Sequence, residues 1–131
     1  MNPRTFRNEA RDDYLESILN IIRAKGYCRS IDVATELAVS KPSVSVAVGK
    51  LQEAGLIVLD EDKHIRLTEE GRALAELTDA KHLYLKAVLL SVGVDEETAE
   101  REACAIEHAV SGDTFQKLMT AYPLPIQTKA E

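Results

Sequence analysis

The chain has 131 residues, of which 45% are hydrophobic and 29% charged, and a formal net charge of −6. That is enough apolar material for a buried interior, and the lack of any run of about 18 apolar residues argues against a membrane-spanning helix. The charge is uneven: residues 1–52 carry eight Lys/Arg against six acids, and residues 53–131 carry eight against sixteen. An acidic total excludes indiscriminate polyanion binding but leaves room for a partner-binding first part and an acidic second part suited to cations. The opening "MNPRTFRNEARDD" has no apolar core of a secretory signal, and Cys28 and Cys104 are far apart in sequence. Both features lead to the expectation of a cytoplasmic chain with reduced thiols.

In chain order, "DDYLESILNIIRAKG" places Leu15, Ile18, Leu19 and Ile22 at helical spacing, ended by Gly26. In "SIDVATEL", Ser30 is the expected N-cap, with Ile31, Ala34 and Leu37 as the buried side of a short helix. After a tight connection, Ser40 caps a second helix with Pro42 in its first turn, Val44, Val48 and Leu51 inside, and Gly55 at its end. Two short helices so joined make a helix-turn-helix. "LIVL" and "HIRLT" around "DEDK" then read as a two-stranded wing. Thr68 caps a long helix closed by Gly93, Asp95 caps "EETAEREACAIEHAVS", and Asp113 caps "TFQKLMTAY". The expected fold is mainly α with a small β-hairpin: a winged helix-turn-helix over residues 1–72 and a helical domain over 73–131. Leu83, Leu85, Val88, Leu89, Ile106, Phe115, Leu118 and Met119 give the second domain more apolar face than about 60 residues bury alone. Pairing with a second copy in a two-fold homodimer is expected.

The second helix of the pair presents Lys41, Ser43, Ser45, Val46, Gly49 and Lys50 outward. In a helix-turn-helix that end reaches base edges in the major groove, so double-stranded DNA is the expected partner, with Ser40 and Pro42 shaping the contact end. Val46 suits a thymine methyl. Lys41, Lys50, Arg4, Arg7 and Arg29 suit phosphates. The wing brings three acids near a polyanion, with only Lys63 and His64 to offset them, so it is expected to add little affinity. A winged helix used for protein contacts remains the bland alternative.

"CAIEH" sets Cys104, Glu107 and His108 at i, i+3 and i+4, neighbours on one helix face. All three residue types bind divalent metals, yet such a set also describes a solvated helix face. Asp13 and Glu16 form a similar pair on the first helix, and His82 lies mid-way along the long one. The spacing also echoes the inverted zinc-protease motif with Cys in place of its first His, a metallopeptidase reading. Another alternative is a regulator that uses Cys104 as a redox thiol.

"DDYLESILNII", "VSKPSVSVAVGKLQEAGLI", "RLTEEGR", "KHLYLKAVLLSVGVDEE" and "EACAIEHAVS" resemble the metal-dependent repressors related to diphtheria toxin repressor and the manganese transport regulator, over roughly residues 8 to 120. The resemblance implies a non-enzymatic repressor in which Asp13, Glu16, His82, Cys104, Glu107 and His108 hold a divalent metal, Mn(II) or Fe(II), with Co(II) or Zn(II) as in vitro substitutes. The ion would bridge the two domains and fit a homodimer to a palindromic operator controlling metal-uptake genes. Three positions stand out. Cys104 occupies a position that is Glu in the manganese branch and Cys in the iron branch. Lys86 stands where the iron branch has an acid, and Asp13 where it has Met. The chain therefore reads as a short form, without the SH3-like domain, carrying one iron-type ligand. Lys86 leads to the expectation of a single well-held metal per chain.

Overall fold

A computed structural model describes the backbone of residues 3–124 and the side chains of residues 9–124. The side chains of Arg4 and Arg7, two of the expected phosphate contacts, lie outside the described residues. The chain divides into two compact units, Met1–Glu76 and Leu77–Glu131.

In the first unit, α1 (Pro3–Lys25) is longer than its apolar period suggests. Leu15, Ile18, Leu19 and Ile21 are buried, and Ile22 packs beside them. Burial of each such side chain is worth about 1.5–3 kcal/mol. Arg23 and Lys25 sit in the last turn, favourable at the negative end of the helix dipole. Gly26 then reverses the chain at φ +89°.

The next helix, α2 (Ser30–Leu37), corrects two expectations. Ser30 is its first helical residue, and Arg29, with extended backbone (φ −115°, ψ 159°), is the N-cap. The deciding group is the Asp32 carboxylate, which accepts the Arg29 N–H at 2.9 Å and the Lys25 ammonium at 2.8 Å. The buried side is Val33 and Ala34, while Ile31 is 47% exposed. Ala38 turns the chain in the left-handed region, φ 56°. Helix α3 (Lys41–Glu53) follows as expected: Ser40 Oγ accepts the Ser43 N–H at 3.2 Å, Pro42 lies in the first turn, and Val44, Val48 and Leu51 are buried.

Strands β1 (Ile57–Leu59) and β2 (Ile65–Leu67) pair antiparallel, with Ile57 opposite Leu67 and Leu59 opposite Ile65. Asp60 organises the turn between them. Its carboxylate accepts the N–H groups of Asp62 (2.8 Å) and His64 (2.9 Å) and the Arg66 Nε–H (3.0 Å). These bonds, led by the one from His64, hold the carboxyl below its usual range. The Ile65 N–H donates to the Cys28 carbonyl at 2.7 Å, and the His64 ring stacks on Tyr27 at 5.0 Å. The hairpin is thereby fixed to the α1–α2 connection.

Helix α4 (Glu69–Ser91) begins in the first unit. Thr68 Oγ1 accepts the Gly71 N–H at 3.1 Å and donates to the Gly55 carbonyl at 2.8 Å. A Cβ on Gly71 would stand 2.0 Å from the Leu56 carbonyl oxygen, so only glycine lets the helix approach that loop.

In the second unit, α4 continues and is followed by α5 (Glu96–Ile106) and α6 (Gly112–Ala121). Asp95 caps α5 through the Thr98 N–H, as expected. For α6 the cap is Ser111, which accepts the Thr114 N–H; Asp113, the expected cap, lies inside the helix and pairs with Lys117. The core holds Tyr84, Leu85, Ala103 and Phe115, with Val88, Leu118 and Met119 among the half-buried residues around it. The Tyr84 and Phe115 rings meet edge to face at 5.7 Å, and the Tyr84 hydroxyl is 2.7 Å from the Tyr122 carbonyl.

Candidate metal centre

Cys104, Glu107 and His108 do not share one continuous helix, contrary to expectation. Helix α5 stops at Ile106, Glu107 is its C-cap, and residues 107–109 form a turn. Two contacts close that turn: the Ala109 N–H bonds the Ile106 carbonyl at 2.8 Å, and the Lys81 ammonium bonds the Val110 carbonyl. Glu107 nevertheless keeps helical angles (φ −58°, ψ −29°), so its side chain stays over the preceding turn. One donor atom from each of Cys104, Glu107 and His108 lies within 4.8 Å of the others.

Glu107 is the centre of this group. Its residue exposure is 1%, unusual for a carboxylate. Oε1 lies 2.8 Å from His82 Nδ1. Oε2 has no hydrogen-bond donor among the described residues; the His108 ring nitrogen Nε2 stands 3.6 Å away. A buried carboxylate oxygen without a donor is costly, so this one is a ready acceptor for a cation.

His82 faces carboxylates on both sides, with Nε2 3.0 Å from Glu100 Oε2. The Glu107 contact, partly opposed by burial and reinforced by Glu100, raises the ring from its ordinary value to about 9. Glu100 in turn meets the Lys86 ammonium at 3.0 Å, and the same ammonium meets Glu96 at 2.8 Å. The Lys86 contact is the main cause that holds the Glu100 carboxyl below its usual range. Glu96 and Glu100 are absent from the residues picked out in sequence. Their signal was available: Glu96, Glu100 and Cys104 are spaced i, i+4, i+8, and Lys86 is four residues after His82.

Asp13 and Glu16 lie at i and i+3 on α1 in the first unit, both half-buried and both engaged with other groups. On α3, Lys41, Pro42, Ser43, Ser45, Val46, Gly49 and Lys50 are exposed, Val46 to 58%. Ser40 is also exposed, with its hydroxyl occupied by the helix cap and by Ser43 Oγ at 2.9 Å. Arg29 is exposed, its guanidinium 5.6 Å from the centre of the Tyr27 ring.

Two family models match this chain. "Iron dependent repressor, N-terminal DNA binding domain" covers residues 8–65, and "Iron dependent repressor, metal binding and dimerisation domain" covers residues 68–125. A transcriptional regulator MntR of Escherichia coli O157:H7 is 39% identical over 109 residues, 83% of this chain and 70% of that protein. The HTH-type transcriptional regulator MntR of Bacillus subtilis is 32% identical over 107 residues, 82% of this chain and 75% of that one. Among solved structures, the metal-dependent transcriptional regulator MtsR superposes with a TM-score of 0.77 at 31% identity, covering 88% of this chain and 54% of that one. The IdeR of T. acidophilum gives 0.71 at 27% identity, covering 88% of this chain and 55% of that one. The chain thus spans just over half the length of these solved relatives. The relatives are transcriptional regulators rather than enzymes, which sets the peptidase reading aside. The resemblance seen in the sequence is borne out: the chain belongs to the iron-dependent-repressor family of metal-dependent, DNA-binding transcriptional regulators.

Proposed function

We propose that the chain is a Mn(II)- or Fe(II)-responsive repressor of metal-uptake genes, in which Glu107, Cys104, His108 and His82 hold the ion and Asp13 and Glu16 complete the ligand set. The observation that carries the reading is the buried Glu107 carboxylate, with an oxygen lacking a donor beside a thiol and an imidazole. This donor set fits a divalent transition metal. When bound, the ion would supply positive charge to offset the like charges of Asp13, Glu16 and Glu107 that the family resemblance brings together. The chain's residues do the rest. Glu107 stays fixed by burial, His82 presents a nitrogen to it, and Asp13 and Glu16 join α1 to the same set, as the family resemblance implies. The DNA-competent arrangement is favoured only by as much as its affinity for the ion exceeds that of the alternatives. Exposed Leu90, Val92 and Ile106 in the second unit support a homodimer, which would place two α3 helices on a palindromic operator. Lys41, Lys50 and Arg29 contact phosphates, together with Arg4 and Arg7; Ser43, Ser45 and Val46 meet base edges.

Cys104 bears on ion choice, because a thiolate draws preference toward softer ions than a carboxylate does. Anaerobic DNA binding titrated separately with Mn(II), Fe(II), Co(II) and Zn(II), on wild type and Cys104→Glu, tests this. The variant should move toward Mn(II); an unchanged ranking removes Cys104 as the selector. A redox reading has one observation in its favour, the exposure of the Cys104 thiol. It predicts DNA affinity that ignores metal and responds to peroxide.

A further inference from the structure

We propose that Glu100 is a positioning residue for the metal ligand His82, and that Lys86 tethers Glu100 for that task. The proposal rests on the ligand reading above and deepens it. A histidine that ligates a metal does so through one ring nitrogen, and a hydrogen bond from the other fixes the tautomer and the ring plane. His82 has two polar neighbours on opposite sides. Nδ1 faces Glu107, which belongs to the Cys104–Glu107–His108 donor group, at 2.8 Å. Nε2 faces Glu100, which lies outside that group, at 3.0 Å. The geometry therefore divides the ring: Nδ1 is the nitrogen that would give up its proton to solvent and take the ion, and Nε2 keeps its proton and donates it to Glu100.

Glu100 alone is poorly suited to hold a ring still, because its side chain is 55% exposed and free to rotate. Lys86 removes that freedom. Its ammonium grips Glu100 Oε1 at 3.0 Å while Oε2 takes His82, and a second contact to Glu96 at 2.8 Å anchors the ammonium itself. Exposed ion pairs of this kind contribute little to stability. Orientation of His82 is the effect they can exert strongly. The same arrangement accounts for lysine four residues after His82: both groups project from one face of α4 toward Glu100 of α5.

The test uses the full chain. Co(II) affinity is measured by calorimetry and by the visible spectrum of the loaded protein for wild type, Glu100→Ala, Glu100→Gln and Lys86→Met. Circular dichroism of each metal-free variant reports folding. The Zn(II)-loaded proteins, labelled with 15N at histidine, report which ring nitrogen carries the proton. Glu100→Ala should weaken Co(II) binding by about 10–100-fold, the usual cost of losing an outer partner of a ligating histidine. Glu100→Gln should recover most of the loss, since its amide oxygen still accepts the Nε2 proton. Lys86→Met should fall between them. The loaded wild type should show a protonated His82 Nε2 that loses its protection from exchange in Glu100→Ala. An unprotonated Nε2 in the loaded wild type, or equal Co(II) affinity in wild type and Glu100→Ala, overturns the proposal and leaves the ligand reading standing. A wild type that takes up no Co(II) overturns both.

Discussion

His82 Nδ1 and Glu107 Oε1 lie 2.8 Å apart, joining residues 25 positions distant and linking the middle of α4 to the turn after α5. Glu107 has no exposed side-chain surface and His82 only 12%, so water screens the pair weakly. Glu107→Gln keeps the shape and removes the charge. Its metal-free form should be less stable by roughly 1.5–3 kcal/mol, the usual range for a hydrogen bond to a charged group. Metal-dependent DNA binding should disappear. Urea unfolding and fluorescence anisotropy with a labelled operator check the two parts separately; full metal response in the variant would remove Glu107 from the ligand set.

Lys41 and Lys63 should behave differently toward DNA. Lys41 opens α3 on an exposed face, whereas Lys63 sits in the hairpin turn behind Asp60, Glu61 and Asp62. Lys41→Ala should weaken operator binding and lower the salt slope by about one. Lys63→Gly should leave affinity nearly unchanged. It should also stabilise the fold slightly, because Lys63 holds a left-handed φ of 64° that glycine adopts freely. Gel-shift titrations at several salt concentrations decide it, and comparable losses in both variants would place the wing on the DNA.

Gly71 allows α4 to pass against Leu56. Gly71→Ala puts a methyl 2.0 Å from a backbone oxygen, which cannot rotate away as a side chain would. The expected cost is about 1–3 kcal/mol from forced backbone shifts, readable as a lower thermal midpoint. A midpoint equal to wild type would mean that the Gly55–Leu56 loop yields freely.

The two thiols should react at very different rates. Cys28 has no exposed surface, and burial, with smaller contributions from Asp32 and Glu36, pushes its thiol up to about 12. It stays protonated and shielded across the neutral range. Cys104 is exposed. Native protein should show one fast-reacting thiol per chain, with the second appearing on unfolding. Excess Mn(II) or Co(II) should slow the fast one if Cys104 is a ligand.

Much of this architecture is legible in the sequence because it depends on near neighbours. The α3 stripe of Val44, Val48 and Leu51, the Ser40, Thr68 and Asp95 caps and the wing all follow from local period and local turn chemistry. The misreadings involve competition between adjacent candidates. Ser30 has the better capping side chain, but Asp32 and Lys25 together fix the helix start at Arg29. Asp113 and Ser111 are both good caps, and the chain enters α6 at Ser111. The end of α5 is hidden for another reason. Val110 packs on the core beyond the turn, so the apolar pattern continues while the helix does not, and the Lys81 contact at that turn comes from a distant element. In the candidate site, residue types and spacing single out Cys104, Glu107 and His108. The role of Glu100 emerges only when α4 and α5 are packed together.

The end of α5 at Ile106 splits the donor group between two kinds of backbone. Cys104 stands in the last turn of the helix, while Glu107 and His108 stand on a single turn beyond it. Helix ends open far more readily than helix interiors. Burial nonetheless makes the Glu107 carboxylate and the His108 imidazole the fixed reference points, with side chains 0% and 6% exposed, and the exposed Cys104 thiol is the donor brought to them. Any ion held there must draw some of its binding free energy into ordering the thiol at the helix end. Selectivity would then depend on how well an ion can draw the exposed thiol onto the buried carboxylate and imidazole, in addition to the softness of the sulfur.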